Sequence, residues 1–334
     1  MYDFEASALL RQRGEGERTL TVPFMLVSVF LIVFASSFGQ SVLLSPVLLI
    51  LYGGKIAERL GALFASGSHE QLELQLGTVL DEATAELMST SLGLVAQLLS
   101  AAVVIALTVV FCVCLERRSV ATMGLTRRRA PLHYGLGLLI GAAVFALAYL
   151  ICVLFGALRP IGINRGASAP MFVLLFFGYV IQGASEELLM RGFLMLSLAR
   201  RYSLRISIFA SSVFFSLMHI ANAGVTVIGL LNVFLFGVFA SLYTLRSQSL
   251  VGTCAIHTAW NFVEGNVFGC SVSGFLSTDS IFLTQVSGKG LKTSGGAFGP
   301  EGGFAVTLVL IFALLAVCLL PSRRKQDKEN RFEA

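Results

Sequence analysis

Long apolar runs alternate with short polar segments along the whole chain, and that alternation predicts helices crossing a membrane. The first nineteen residues are polar and carry Arg11, Arg13 and Arg18, after which an apolar run extends from Leu20 to about Tyr52. This run is far longer than a signal-peptide core and has no small-residue cleavage site at its end, so it reads as a retained first span. Further apolar runs fall at about 91–115, 132–158, 169–199, 206–222, 225–245, 249–268 and 303–320. A helix needs ~20 apolar residues to cross the hydrocarbon. The pattern therefore predicts an all-α polytopic membrane protein of about eight transmembrane helices. Pro46 is expected to bend the first of them near its outer end.

Two intervening segments are long. Residues 53–90 place Glu58, Glu70, Glu73, Asp81, Glu82 and Glu86 between leucines at roughly helical spacing, namely Leu72, Leu76, Leu80 and Leu87. This pattern fits an amphipathic helix near the membrane surface, or a solvated loop with a turn or two of helix. Residues 269–302 are rich in Gly and Ser and read as a turn-forming loop. No internal repeat or heptad run is evident.

Composition narrows the class further. Of 334 residues, 56% are hydrophobic and 13% charged, about half the charge of a soluble domain. With a mean hydropathy of +0.83, a single soluble core is excluded. The six cysteines lie mostly in apolar runs, and Cys112/Cys114 has no second pair at zinc-site spacing. The net charge of +5 comes from short basic clusters between spans. They read as topology signals, with no nucleic-acid partner implied.

Those clusters set an orientation. With the N-terminus inside, inner segments hold seventeen Lys and Arg residues, including Arg117, Arg118, Arg127 to Arg129, Arg200, Arg201, Arg205, Arg246 and the tail from Arg323 to Arg331. Outer segments hold six: Lys55, Arg59, Arg159, Arg165, Lys289 and Lys292. This bias predicts a multi-pass protein of the cell membrane with both termini cytoplasmic. The expected organisation is a cytoplasmic tail (1–19), two helices joined by an acidic extracytoplasmic segment (20–114) and a core (115–268). A Gly/Ser-rich extracytoplasmic loop (269–302) and a last helix with a basic tail (303–334) follow.

Ionisable groups inside apolar runs carry the chemistry, since each costs at least about 2.5 kcal/mol at mid-membrane. Three segments contain them: GASEELLMRGF, VFFSLMHIAN and CAIHTAWNFVEG. Glu186 lies fourteen residues before Arg200, and His219 fourteen after Arg205, each about 21 Å from the inner surface. Counted from Ser249, His257 is about 12 Å deep and Asn261 about 18 Å. Three helices thus bring polar groups to one broad layer. Glu187 and Arg191 are spaced to pair on one helix face, which leaves Glu186 to face a cavity. His257 and Asn261 share a face, and Phe215 stands one turn before His219. A structural polar network is the bland alternative. A carboxylate, two imidazoles and an amide nevertheless match the groups needed for acyl transfer to water.

The series E-E-x-x-x-R at Glu186 to Arg191, F-x-x-x-H at Phe215 to His219 and H-x-x-x-N at His257 to Asn261 resembles the CPBP family of intramembrane proteases. That family includes the type II CAAX prenyl endopeptidases and the bacterial Abi proteins. The similarity spans roughly residues 115 to 268, with Asn232 and Phe236 at familiar positions. It implies a catalytic core of helices four to seven. It further implies that Glu186 is the general base, that His219 holds the attacking water, and that His257 and Asn261 stabilise the oxyanion. Glu187, Arg191, Phe215 and Asn232 are supporting.

Metal dependence stays open at this level. Glu186, His219 and His257 could supply three zinc ligands, but H-E-x-x-H is absent and Glu187 is better placed to neutralise Arg191 than to act as a base. Metal-independent hydrolysis is the favoured reading. The expected partners are membrane lipids and a membrane-associated or prenylated peptide. A transporter using the buried Glu and His groups, or a catalytically silent scaffold, are the alternatives from other classes.

Overall fold

In the computed structural model, the residues described are 4, 7–11, 21–65, 69–127, 129–276, 279–288 and 290–319. Of the topology signals, Arg13, Arg18, Arg128, Lys289 and the basic tail from Arg323 to Arg331 lie outside the described residues.

The main elements in chain order are α1 (Val22–Ala65), α2 (His69–Met88), α3 (Ser91–Leu115) and α4 (Ala130–Leu154). Strand β1 (Leu158–Ile163) follows, then α5 (Ala169–Leu198), α6 (Leu204–Leu217), α7 (Val227–Ser247) and α8 (Leu250–Phe262). Strand β2 (Phe282–Val286) and α9 (Phe304–Leu319) complete the series. Helix starts follow local chemistry. Thr90, Ser168, Ser203 and Thr226 each cap the helix that follows through a side-chain oxygen, satisfying one orphaned N–H.

Five of these helices, α1, α3, α4, α5 and α7, are long and apolar enough to cross a membrane. The expectation of eight spans is therefore met only in its class. The segment 206–222 becomes a helix that stops at Leu217, so its fourteen residues reach about 21 Å, short of ~30 Å of hydrocarbon. The last helix, α9, is also short. Helix α8 carries Thr, His, Trp and Asn, and all but one of its residues are buried. A helix walled by protein has no need to be apolar all round.

Helix α8 sits against α4 and α5 at close range. A Cβ at Gly141 of α4 would fall 2.3 Å from the Ile256 carbonyl oxygen, so glycine is what lets the two backbones meet. Pro46 lies inside α1, where it removes the N–H that would bond Val42, and the Ser45 hydroxyl donates to that carbonyl instead at 3.0 Å.

Residues 53–90 contain the helix that one sequence expectation named, packed against another helix. Helix α1 continues through Ala65, and α2 folds back along it. Lys55 pairs with Glu86 at 2.7 Å, and Arg59 pairs with Glu82. The buried side of α2 is Val79, Ala83 and Leu87, whereas Leu76 and Leu80 are exposed. An i,i+4 stripe of Val79, Ala83 and Leu87, which shares Leu87 with the leucine pattern, makes the hairpin contact, because the partner is another helix.

The chain is not purely helical. β1 and β2 pair antiparallel, Leu158 opposite Val286 and Ile163 opposite Phe282, with an irregularity between Pro160 and Gly162. The third apolar run, expected to continue to 158, ends as a helix at Leu154. Segment 269–302 is far more ordered than a turn-forming loop. It contains β2, a helical turn at Leu291–Ser294 and two 3-10 turns at Gly296–Phe298 and Pro300–Gly302. Phe298 is fully buried, which anchors this segment on the bundle.

Candidate active site

Glu186 and Glu187 end the regular part of α5, and a π-helical stretch runs from Leu188 to Met195. The wider turn is a common local device at functional sites. Arg191 lies within it, fully buried, with Nη1 donating to Glu187 Oε1 at 3.0 Å. Its guanidinium also lies 4.5 Å from the centre of the Phe215 ring, a cation–π geometry. Gly237 of α7 makes the room, since a Cβ there would come within 3.1 Å of Arg191 Nη2.

The same Glu187 oxygen has a second partner. His257 Nδ1 lies 2.9 Å from Glu187 Oε1, and a carboxylate only accepts, so Nδ1 carries the proton. His257 Nε2 then points toward Glu186, 3.7 Å from Oε2. Phe215 and Phe236 hold the ring edge-on at centroid distances of 6.0 and 5.1 Å.

Glu186 has two different oxygens. Oε1 accepts from Gln182 Nε2 at 2.7 Å, whereas Oε2 meets no donor among the described residues. Gln182 in turn accepts from Asn261 Nδ2 at 3.0 Å through its own Oε1. An amide nitrogen has two N–H groups, so Asn261 keeps one for another acceptor. His219 lies just past the end of α6, in the turn that follows Leu217 and not within a helix. Its Nδ1 is 2.8 Å from the Phe215 carbonyl oxygen, which only accepts, so neutral His219 presents Nε2 as an acceptor.

These groups meet in one cavity of about 280 Å³. Glu186, His219, His257, Asn261, Phe215 and Asn232 all line it, whereas Glu187 and Arg191 stand behind the wall. Asn232 is turned away from the carboxylates. Its Nδ2 donates to the carbonyls of Glu301 and Gly303 at 2.7 and 2.8 Å, and its Oδ1 accepts from Thr307. Its support is to the 300–303 turn.

The run of helices α5 to α8 that supplies this site also matches a known family. Residues 168–263 match the family model described as type II CAAX prenyl endopeptidase Rce1-like. These residues form an Rce1-like domain. The matched stretch begins at the capping Ser168 and ends one residue beyond α8. It bears out the resemblance over a shorter stretch than 115–268. All three motifs fall inside the matched stretch. The apolar helices agree with a membrane protein. No curated protein and no solved structure matches the chain.

Parts of the cavity lie outside the Rce1-like domain. Ser36 and Gln40 of α1, Gln97 of α3, Val306 and Leu310 of α9, and Glu301 complete the wall. Gln182, the bridge between Glu186 and Asn261, lies inside it and was not picked out from sequence. A polar residue four before Glu186 is the only signal that could have found it. For zinc, the trio Glu186, His219 and His257 does not fit. Among the described residues no group of three or more His, Cys, Asp and Glu side chains could hold a metal ion. The Nδ1–H of His257 is held by Glu187 and that of His219 by a backbone carbonyl, which leaves Nε2 as the free nitrogen of each ring.

Proposed function

We propose that this chain is an intramembrane endopeptidase that hydrolyses a peptide bond of a membrane-associated substrate. The observation that carries the reading is Glu186. One carboxylate oxygen is held by Gln182, the other meets no donor among the described residues, and the side chain lines a cavity together with His219, His257 and Asn261.

Water is a poor nucleophile and a peptide carbonyl a poor electrophile, so both need help. In the proposed reaction a water sits against the Glu186 carboxylate where it faces the cavity and donates its second hydrogen to His219 Nε2. As its oxygen bonds the carbonyl carbon, Glu186 takes the proton, and the carbonyl electrons move onto oxygen. The free N–H of Asn261 stabilises that oxyanion. His257 joins it through Nε2 when both ring nitrogens are protonated. The C–N bond then breaks as Glu186 returns the proton to the leaving amine. The Rce1-like domain supports a CAAX-type substrate, and the same site chemistry serves any extended peptide reaching the cavity.

The test is Glu186→Gln, which keeps size and hydrogen bonding but removes the base. Turnover of a membrane-anchored peptide by the purified protein is expected to fall by several orders of magnitude while peptide binding persists. Cleavage at the native rate would sink the mechanism.

A further inference from the structure

The charges on the cavity wall are one-sided. Two carboxylates, Glu186 and Glu301, line it, and no Lys or Arg does. The only other titratable groups there that can carry positive charge are His219 and His257. Arg191 is fully buried behind the wall and committed to Glu187.

Glu301 is held firmly. Its Oε1 accepts from Trp260 Nε1 at 3.0 Å, its Oε2 accepts from the Ser273 hydroxyl, and its backbone carbonyl accepts from Asn232. All three donors are neutral. None of the ion pairs among the described residues includes Glu301. Among the described residues, no Lys or Arg lines the cavity beside Glu301.

A merely structural partner for Trp260 and Ser273 would not need a charge: a glutamine would accept from Trp260 through its oxygen and donate to a Ser273 hydroxyl turned to accept. Keeping a carboxylate in a low-dielectric wall without a counter-ion is costly, and a ligand cation removes that cost. We propose that Glu301 is a specificity-determining residue that receives the ammonium or guanidinium of a basic residue in the substrate peptide. The inference rests on the endopeptidase reading and deepens it. Centroid steps of 5.1 and 5.3 Å from His257 through Phe236 to Trp260 bound the separation of the first and last rings at about 10 Å. Trp260 Nε1 reaches Glu301 Oε1 at 3.0 Å, so Glu301 lies within roughly four residues of extended chain from His257. The substrate class is thus a membrane-associated peptide with Lys or Arg within about four residues of the scissile bond.

The experiment uses the full chain, purified in detergent, and acylated fluorescent peptides identical except at one position. That position carries Lys, Gln or Glu and is walked along the peptide. Binding is measured on Glu186→Gln protein and cleavage on wild type. At one position, Lys peptides are expected to bind about tenfold or more tightly than Gln peptides. Adding Glu301→Gln should bring that ratio close to one, and Glu301→Lys should turn the preference toward Glu peptides. A Lys preference that survives Glu301→Gln, or its absence at every position, overturns the inference. Glu301-dependent Lys binding with no cleavage by wild type leaves the cation subsite standing and defeats the endopeptidase reading instead. Thermal melting checks that Glu301→Gln is folded. If it is not, the Lys, Gln and Glu series on the parent protein decides alone, because equal binding or a preference for Gln or Glu overturns the proposal.

Discussion

His257 and Glu187 are joined side chain to side chain, Nδ1 to Oε1 at 2.9 Å, across the contact between α8 and α5. Glu187 therefore fixes which nitrogen of His257 carries the proton and where the ring points, acting on the reaction through its neighbour. Glu187→Gln is expected to lower kcat by roughly 10²-fold or more while changing KM little. Steady-state kinetics on an anchored peptide measures the split. A proportional rise in KM with unchanged kcat would mean that the contact serves binding.

Arg191 neutralises that carboxylate through the same oxygen, and both side chains are fully buried. Arg191→Leu strands Glu187 and is expected to cost about 3–5 kcal/mol, read as a lower melting temperature in detergent and reduced folded yield. Arg191→Lys should rescue only part of the loss, because an ammonium lacks the flat face that lies over Phe215.

Gln182 couples the base to the oxyanion group, donating to Glu186 and accepting from Asn261. Asn261→Ala is expected to reduce kcat by roughly 10²–10³. Gln182→Leu should also reduce kcat, and the double variant should lose less than the product of the two single losses because the residues act through one chain of bonds. Full multiplicativity would show that they act independently.

Most of this architecture is written in hydropathy, because lipid imposes one requirement on every spanning helix. The ionisable groups at 186, 187, 191, 219 and 257 stand out for the same reason, since an apolar run gives them no cover. Gln182 does not stand out, since a lone amide is compatible with any helix interface. Glu301 sits in a Gly-rich tract whose turns give no periodic signal, and its role depends on Trp260, some forty residues earlier. β1 contains Pro and Gly, which argue against a strand until a partner more than a hundred residues away supplies the ladder. The length of α1 was missed because its last turns are charged, and those charges are matched by α2 instead of by water.

The β1–β2 pairing constrains topology independently of charge. Its two strands must lie on the same side of the membrane, and the four helices α5 to α8 separate them in sequence. Accessibility labelling at Gly162 and Gly288, both exposed, is expected to report one side for both, the extracytoplasmic side given the distribution of basic residues. Opposite sides for the two positions would break the pairing as well as the orientation.

The cavity wall described above draws on Glu301, Val306 and Leu310, all beyond the last of the three motifs. A chain is made from its N-terminus, so a ribosome that has finished α8 has released every hydrolytic group but not the surface that encloses them. Until some fifty more residues have emerged, the nascent protein holds its reactive side chains in an unfinished chamber. For the proposed enzyme, the chamber is thus complete only once 300–310 has docked, and not when the motifs themselves are inserted.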